Sequence, residues 1–388
     1  FRIRVIIKEC VVSTNYKKLG DIVELIDERN KDGKVQNLIG VSIDKCFIKS
    51  VANTIGTDLT KYQVIRKNDF ACSLMQVSRD GKIPIACLKD YDEAIMSPAY
   101  YIFRIKNTNE VLPDYLAMWF MRTEFDREAS YIAVGGVRGS MPWEDFCDMK
   151  LPVPDLKEQE KIVSTYNAIT KRIQIKQKIN ENLEKTAQCL FDELNISKKS
   201  FEEKTIAEIS NSVICGKTPS AAIKEYWGTD IPFITIPDMH GKNFISQTER
   251  YLSQEGKSSQ ENQTLPPKSI CVSCIATVGL VSITTTISQT NQQINSIICK
   301  EGISPFYVFM TLKGMNEELK RLGAGGSTTL NISKSLFSSI KIAIPNKKEM
   351  DLFENEISPI FDSILMNEKE ISKLQELKQL VISRISGM

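Results

Sequence analysis

The chain has 388 residues, 42% hydrophobic and 25% charged, too many for one ordinary compact domain and enough for two globular domains with connecting elements. Its 50 basic and 48 acidic residues leave a net charge of +2, which excludes a bulk positive field, so any grip on phosphate must come from local patches. A single histidine, His240, excludes multi-histidine metal centres.

In chain order, a first unit begins near Leu19-Gly20-Asp21-Ile22. Residues 63–65, 70–75 and 100–105 read as strands from their β-branched and aromatic content. Residues 113–125 read as a helix with Leu116, Trp119 and Phe120 on one face. A Gly-rich loop (135–140) and Leu151-Pro152-Val153-Pro154 follow. Pro154 sets an extended approach, Asp155 is a good N-cap and Glu158 completes a capping-box spacing. The helix they open runs to about Leu194, roughly 60 Å. Its apolar stripe is Ile162, Tyr166, Ile169 and Ile173, after which the pattern shifts phase to Ile179, Leu183, Ala187 and Leu190.

A second unit starts at Lys204. Residues 231–236, 269–278 and 294–299 read as strands and residues 304–322 as a helix. A second Gly-rich loop (323–326), Ile342-Ala343-Ile344-Pro345 and the capping pair Asn346/Glu349 then open another long helix. Ile357, Ile360, Ile364, Asn367, Ile371, Leu374, Lys378 and Val381 follow at alternating steps of three and four, a coiled-coil seam with two polar interruptions. Pro359 predicts a kink or a break. Helices this long outrun a small domain, so they are expected to pair antiparallel, with Asn367 fixing their register.

Corresponding landmarks recur about 190 residues apart, in the same order, which marks an internal repeat. The expected fold is mixed α/β (α+β): two globular domains, 1–154 and 197–345, separated by two long antiparallel coiled-coil helices, 155–196 and 346–388, with internal pseudo-twofold symmetry. No apolar run is long enough to span a bilayer, and residues 1–9 are charged too early for a signal peptide. Ten scattered cysteines suit buried thiols in a reducing cytosol. The expectation is a cytoplasmic protein with no membrane association. Cys271 and Cys274 read as two core thiols on one strand rather than half a zinc site.

Catalytic patterns are missing. His240 sits in a turn-rich loop with no nucleophile elbow nearby. Cys215-Gly216-Lys217-Thr218 resembles the end of a Walker A loop, but Asn211 stands where its first glycine is required. The glycines at 323–326 follow a helix, against the dinucleotide-binding context. No Asp-Pro-Pro-Tyr or Asn-Pro-Pro-Tyr/Phe tetrapeptide is present. These observations favour a non-catalytic binding protein without a metal.

A repeated unit followed by a helix opening in Leu151-Pro152-Val153-Pro154-Asp155-Leu156-Lys157-Glu158-Gln159 resembles the type I restriction-modification specificity subunit family. The second unit's Gly216-Lys217-Thr218-Pro219-Ser220 and Tyr226-Trp227-Gly228 are also similar to members. Its second helix start departs from the pattern, with Glu349-Met350 in place of Glu-Gln. The resemblance implies that each globular domain is a target-recognition domain reading one half of a bipartite site in double-stranded DNA. It implies that the helices set the half-site spacing and dock two methyltransferase (modification) subunits, with two translocase/nuclease (restriction) subunits in the larger complex. S-adenosylmethionine, ATP and Mg are then expected on those partners and no cofactor on this chain.

Residue type selects the candidate DNA contacts, since Arg and Lys suit guanine edges or phosphate and Asn and Gln suit adenine. In the first unit they are Lys34, Gln36, Gln76, Ser78, Arg79, Lys82, Arg138 and Ser140. In the second they are Lys217, Thr218, Ser220, His240, Lys242, Asn243, Ser327, Thr328 and Asn331. For partner docking on the helices the candidates are Ile162, Ile169, Ile173, Leu183, Ile364, Ile371 and Leu374. Two alternatives stay open: a coiled-coil scaffold whose domains bind proteins, and the recognition module of a self-sufficient DNA methyltransferase.

Overall fold

A computed structural model describes residues 15–50, 57–75, 77–135, 139–196, 201–324 and 330–385. The chain divides into two compact units, residues 1–173 with 374–388 and residues 174–373, so each unit takes part of both long helices.

In the first unit the strand Phe70–Cys72 lies between Tyr101–Ile105 and Ile85–Cys87, with Val23–Ile26 beyond Tyr101–Ile105, all antiparallel. The second unit repeats this order. Ile270–Ser273 lies between Ile294–Cys299 and Val281–Thr284, with Ser210–Cys215 beyond Ile294–Cys299. It adds Phe244–Ile245, parallel to Val281–Thr284. A two-strand ladder closes each unit, Tyr16–Lys18 with Lys150–Pro152 and Glu202–Thr205 with Lys341–Ile344. Single bonds repeat as well: Tyr115 Oη donates to the Pro152 carbonyl at 2.9 Å, and Tyr307 Oη to that of Ala343 at 2.7 Å.

Burial explains the strands. Phe70, Cys72 and Phe103 in the first unit and Ile270, Val272 and Ile297 in the second are fully buried beneath helices. In the first unit Phe70 stacks on Phe103 at 5.3 Å, and Trp119, Phe120 and Phe125 fill the space beside them. One buried ion pair has no apolar pattern to announce it. Lys45, on the turn between the strands Ile39–Val41 and Phe47–Lys49, donates to both Asp126 oxygens at 2.8 Å.

Several sequence expectations need correction. The helix expected over 113–125 is two, Pro113–Phe120 and Thr123–Ile132, because Arg122 turns extended between them. The helix expected over 304–322 also breaks, into Pro305–Gly314 and Asn316–Gly323, after a low-propensity glycine. Both halves bury apolar faces on one core, so the periodicity continued across each break. The strand over 70–75 ends at Cys72, and that over 231–236 begins earlier, at Trp227. The strand over 269–278 ends at Ser273. Beyond it Ala276 (φ 63°) and Gly279 (φ 95°) form a turn. Cys274 therefore lies past the strand that holds Cys271; both are buried, which pushes their thiols up to about 11 and about 12.

The helix Leu156–Ile196 starts as expected, the Asp155 carboxylate accepting from the Glu158 N–H at 2.9 Å. The helix Lys347–Arg384 starts with Asn346 accepting from the Glu349 N–H at 3.1 Å. It runs through Pro359 without a break. One helical bond is lost there, but Ile357, Phe361 and Ile364 are buried on either side and hold the axis in the core.

The seam of the first long helix does not shift phase. After Ile173 it continues through Lys176 and Asn180 to Leu183 and Ala187, while Ile179 is 40% exposed. In the second unit Asn180 accepts from Asn367 Nδ2 at 2.7 Å, and Lys176 reaches Asn367 and Glu370, both at 2.9 Å. Partner numbers that fall as these rise establish antiparallel pairing. In the first unit Ile162 and Tyr166 share a core with Ile382 and Ile385, and Lys378 sits 4.8 Å from the Tyr166 ring centre. Among the described residues no helix is long and apolar enough to cross a membrane.

Candidate nucleic-acid interface

In the first unit, the connection after Phe70–Cys72 forms the short helix Val77–Asp80. Val77 is buried and anchors it, leaving Ser78, Arg79 and Lys82 exposed. The second segment at this place holds Gly139 (φ 73°) and Ser140. A Cβ on Gly139 would stand 2.1 Å from Ser78 Oγ, and the Met141 N–H donates to the Leu74 carbonyl at 2.9 Å. The structure thus brings 78–79 and 139–140 together, two segments joined in sequence only by residue type. Arg79 is not a bare cation, since it forks onto the neighbouring Asp80 at 2.7 and 3.3 Å. Gln76 and Arg138 lie outside the described residues.

Lys34 and Gln36 occupy a self-contained turn. Lys34 pairs with Asp32 at 2.8 Å, Gln36 Nε2 donates to the Gly33 carbonyl, and buried Asn30 ties the turn to Val35 and Leu59.

The second unit assembles a corresponding rim. Gly216 leaves no room for a side chain: a Cβ there would meet Thr290 Oγ1 at 2.1 Å and the Asn291 carbonyl at 2.2 Å. The Gly216 and Lys217 N–H groups donate to Ile294 and Thr290 carbonyls at 3.0 and 2.9 Å, so this turn offers no phosphate nest of the Walker kind. Thr218 Oγ1 donates to Gln292 Oε1 at 2.7 Å. The Cys274 N–H reaches the Gln293 carbonyl, and Ile275 bridges Asn331. Lys217, Thr218 and Asn331 therefore share one rim, with Ser220 exposed on the same loop. Ser327 and Thr328 lie outside the described residues.

His240 and Lys242 are exposed on a separate loop, whereas Asn243 is 7% exposed and fully engaged. Its Nδ2 donates to Glu184 and its Oδ1 accepts from Lys313, each at 2.8 Å. Its backbone N–H and that of Phe244 bond the Glu368 carboxylate. Asn243 ties the loop to both long helices instead of facing outward, which corrects its expected role. Burial first, then Glu184 nearby, pushes the Glu368 carboxyl up to about 7 against the lowering effect of those N–H bonds.

Two features were missed. Gln292 is exposed in the middle of the rim, and the turn at 274–279 carries no charge to mark it. The repeat could have found the turn. Ser273 N–H donates to the Leu280 carbonyl as Ser73 N–H does to that of Pro84, so 274–279 corresponds to the segment holding Ser78 and Arg79.

The docking candidates Ile162, Ile169, Ile173 and Ile364 are buried, and Leu183, Ile371 and Leu374 are half-buried. Ile162, Ile364 and Leu183 are spent on the cores of their own units. The outward helix surface carries other apolar residues, among them Ile175, Met366 and Leu380.

The Glu158-Gln159 element has a physical basis. Gln159 is fully buried: its Oε1 accepts from the Leu112 N–H at 2.9 Å, and its Nε2 donates to the Glu110 and Pro154 carbonyls, each at 2.8 Å. The second unit holds buried Met350 at that place and caps the matching helix with Ser304, which accepts from the Tyr307 N–H and donates to Glu354.

The family described as Type I restriction modification DNA specificity domain matches this chain twice, over residues 13–185 and 198–380. The chain is 32% identical to the type I restriction enzyme HindI specificity subunit of Haemophilus influenzae, over 95% of this chain and 97% of that one. It is 26% identical to the EcoR124I/EcoR124II specificity subunit of Escherichia coli, over 71% and 69%. The crystal structure of a type I system S subunit from M. genitalium superposes with a TM-score of 0.64 at 13% identity, covering 97% of this chain and 96% of that one, a likeness of fold. A repeated sheet with a loop rim on each copy, and a family match on each copy, have one meaning: the chain belongs to the type I restriction-modification DNA specificity family and carries its specificity domain twice.

Proposed function

We propose that this chain is the sequence-specific DNA-recognition subunit of a type I restriction-modification complex, each unit reading one half of a bipartite target. The observation that carries this is the repeated rim: in both units the turn after the central strand is bonded to the segment that follows the Gly-rich loop, at 74/141 and again at 274/332. Two reading surfaces on one chain suit two half-sites, as in dimeric repressors, and their linkage raises affinity through effective concentration. The long helices would fix half-site spacing and dock two methyltransferase subunits, with two translocase/nuclease subunits completing the assembly. S-adenosylmethionine, ATP and Mg would bind those partners, making the complex, in the cytoplasm, an adenine-DNA methyltransferase and ATP-dependent endonuclease around a non-catalytic chain. The candidate contacts are Ser78, Arg79, Lys82 and Ser140 in the first unit and Lys217, Ser220 and Asn331 in the second.

The test is duplex retardation by the chain with its methyltransferase partner. Preference for one bipartite site, lost when the gap changes by one base pair, is the expected result. Indifference to sequence and gap would instead support a protein-binding scaffold, and methyl transfer by the purified chain alone would support a self-sufficient enzyme.

A further inference from the structure

The turn 290–293 carries no charged residue, yet two segments of the second unit's rim, at Lys217 and at Cys274, meet on it. Its own polar groups are largely consumed. The Asn291 N–H donates to the Ile234 carbonyl, Asn291 Oδ1 accepts from the Gln293 N–H, and Asn291 Nδ2 donates to Gln293 Oε1. A rigid turn results, with Gln292 exposed on it.

An exposed glutamine ordinarily presents its carboxamide either way round, because the oxygen and nitrogen ends exchange by rotation. Here a neighbour fixes its position. Thr218 is half-buried between Gly216, which only a glycine fits, and buried Pro219. Its hydroxyl donates to Gln292 Oε1 at 2.7 Å and holds the carboxamide in place. That oxygen keeps a second lone pair, and the amide nitrogen is set beside it. An acceptor next to a donor, held in position in advance, complements the donor N6 and acceptor N7 on the major-groove edge of adenine. Exposed Lys217, adjacent to Thr218, adds a cation of the kind that meets phosphate.

We propose that Gln292 reads an adenine in the second half-site and that Thr218 is its positioning residue. This rests on the DNA-recognition reading above.

The experiment uses the full chain in complex with its methyltransferase partner. Affinity is measured for the preferred duplex and for duplexes with each base pair of the second half-site changed singly. Q292A should weaken binding between about fivefold and about 150-fold and erase discrimination at one A·T pair, leaving the first half-site unaffected. Replacing that adenine with 7-deazaadenine, which lacks N7, should weaken the parent and leave Q292A unchanged. T218V should lose part of the same discrimination and T218S should restore it. Equal weakening by Q292A on every duplex, or no weakening, would overturn the assignment of Gln292. Equal behaviour of T218V and T218S would overturn that of Thr218. A parent complex with no preferred duplex would instead overturn the DNA-recognition reading itself.

Discussion

The polar layer in the helix pair makes a quantitative demand. Asn180 and Asn367 are 7% and 8% exposed and bond each other at 2.7 Å, with Lys176 on the Asn367 oxygen. Asn180→Leu strands the Asn367 amide, and Asn367→Leu strands Asn180. Each single change therefore carries an unmet buried polar group, costing about 1–3 kcal/mol. The double change strands neither, and Lys176 keeps Glu370. Leucine's own apolar gain cancels in the double-mutant cycle. The double should then be more stable than additivity predicts by about 2–6 kcal/mol, at least about 30-fold in local opening. Native-state hydrogen exchange at amides of residues 176–187 and 360–371 reads that opening directly. Exchange in the double variant accelerated by the sum of the singles would refute the reasoning. So would singles that exchange like the parent, since the layer would then be solvated. Gap choice is a poorer readout, because each unit's core also grips its part of both helices.

Gln159→Met copies the second unit's solution into the first, where no serine stands at position 112 to replace the lost bonds. It should cost about 2–3 kcal/mol, roughly 4–12 °C in the melting of that unit; an unchanged melting temperature would mean the helix start does not depend on the glutamine. Glu368, raised from 4.5 to about 7, holds its proton in the folded chain over a range where the unfolded chain has lost it. Its contribution is fully present below about pH 4.5 and fades as pH rises to about 7, by about 1–3 kcal/mol. Glu368→Gln should flatten this slope and melt above the parent at pH 8; parallel pH profiles for the two chains would exclude the assignment.

The architecture was legible because it rests on repeated, long-range signals. Helix starts at Asp155 and Asn346, the strand Ile294–Cys299 and the order of landmarks are all visible as caps, alternation and recurrence. What failed was local and polar. The phase of the first helix was misread because Ile179 looked like a seam residue and Asn180 did not, although the facing Asn367 and Glu370 make the polar choice the stable one. Asn243 was read as a free amide because the sequence cannot show that Glu184 and Lys313 converge on it. Gln292 carried no flag because its significance lies in Thr218, 74 residues away.

The near-neutral charge of the chain takes a spatial form. In the first unit several cations are answered close by, Arg66 by Glu28 and Glu93, Arg104 by Asp69, Lys34 by Asp32 and Arg79 by Asp80, while Lys31, Lys49 and Lys82 are exposed and make no ion pair among the described residues. Among the described residues Lys217 and Lys242 of the second unit make no ion pair and remain exposed. A cation already paired to a carboxylate releases fewer counterions on meeting a phosphate, so it adds less to affinity. Each rim thus carries an exposed cation without an ion pair among the described residues, Lys82 in the first unit and Lys217 in the second, and with a total charge near zero the electrostatic share of binding falls to such local groups.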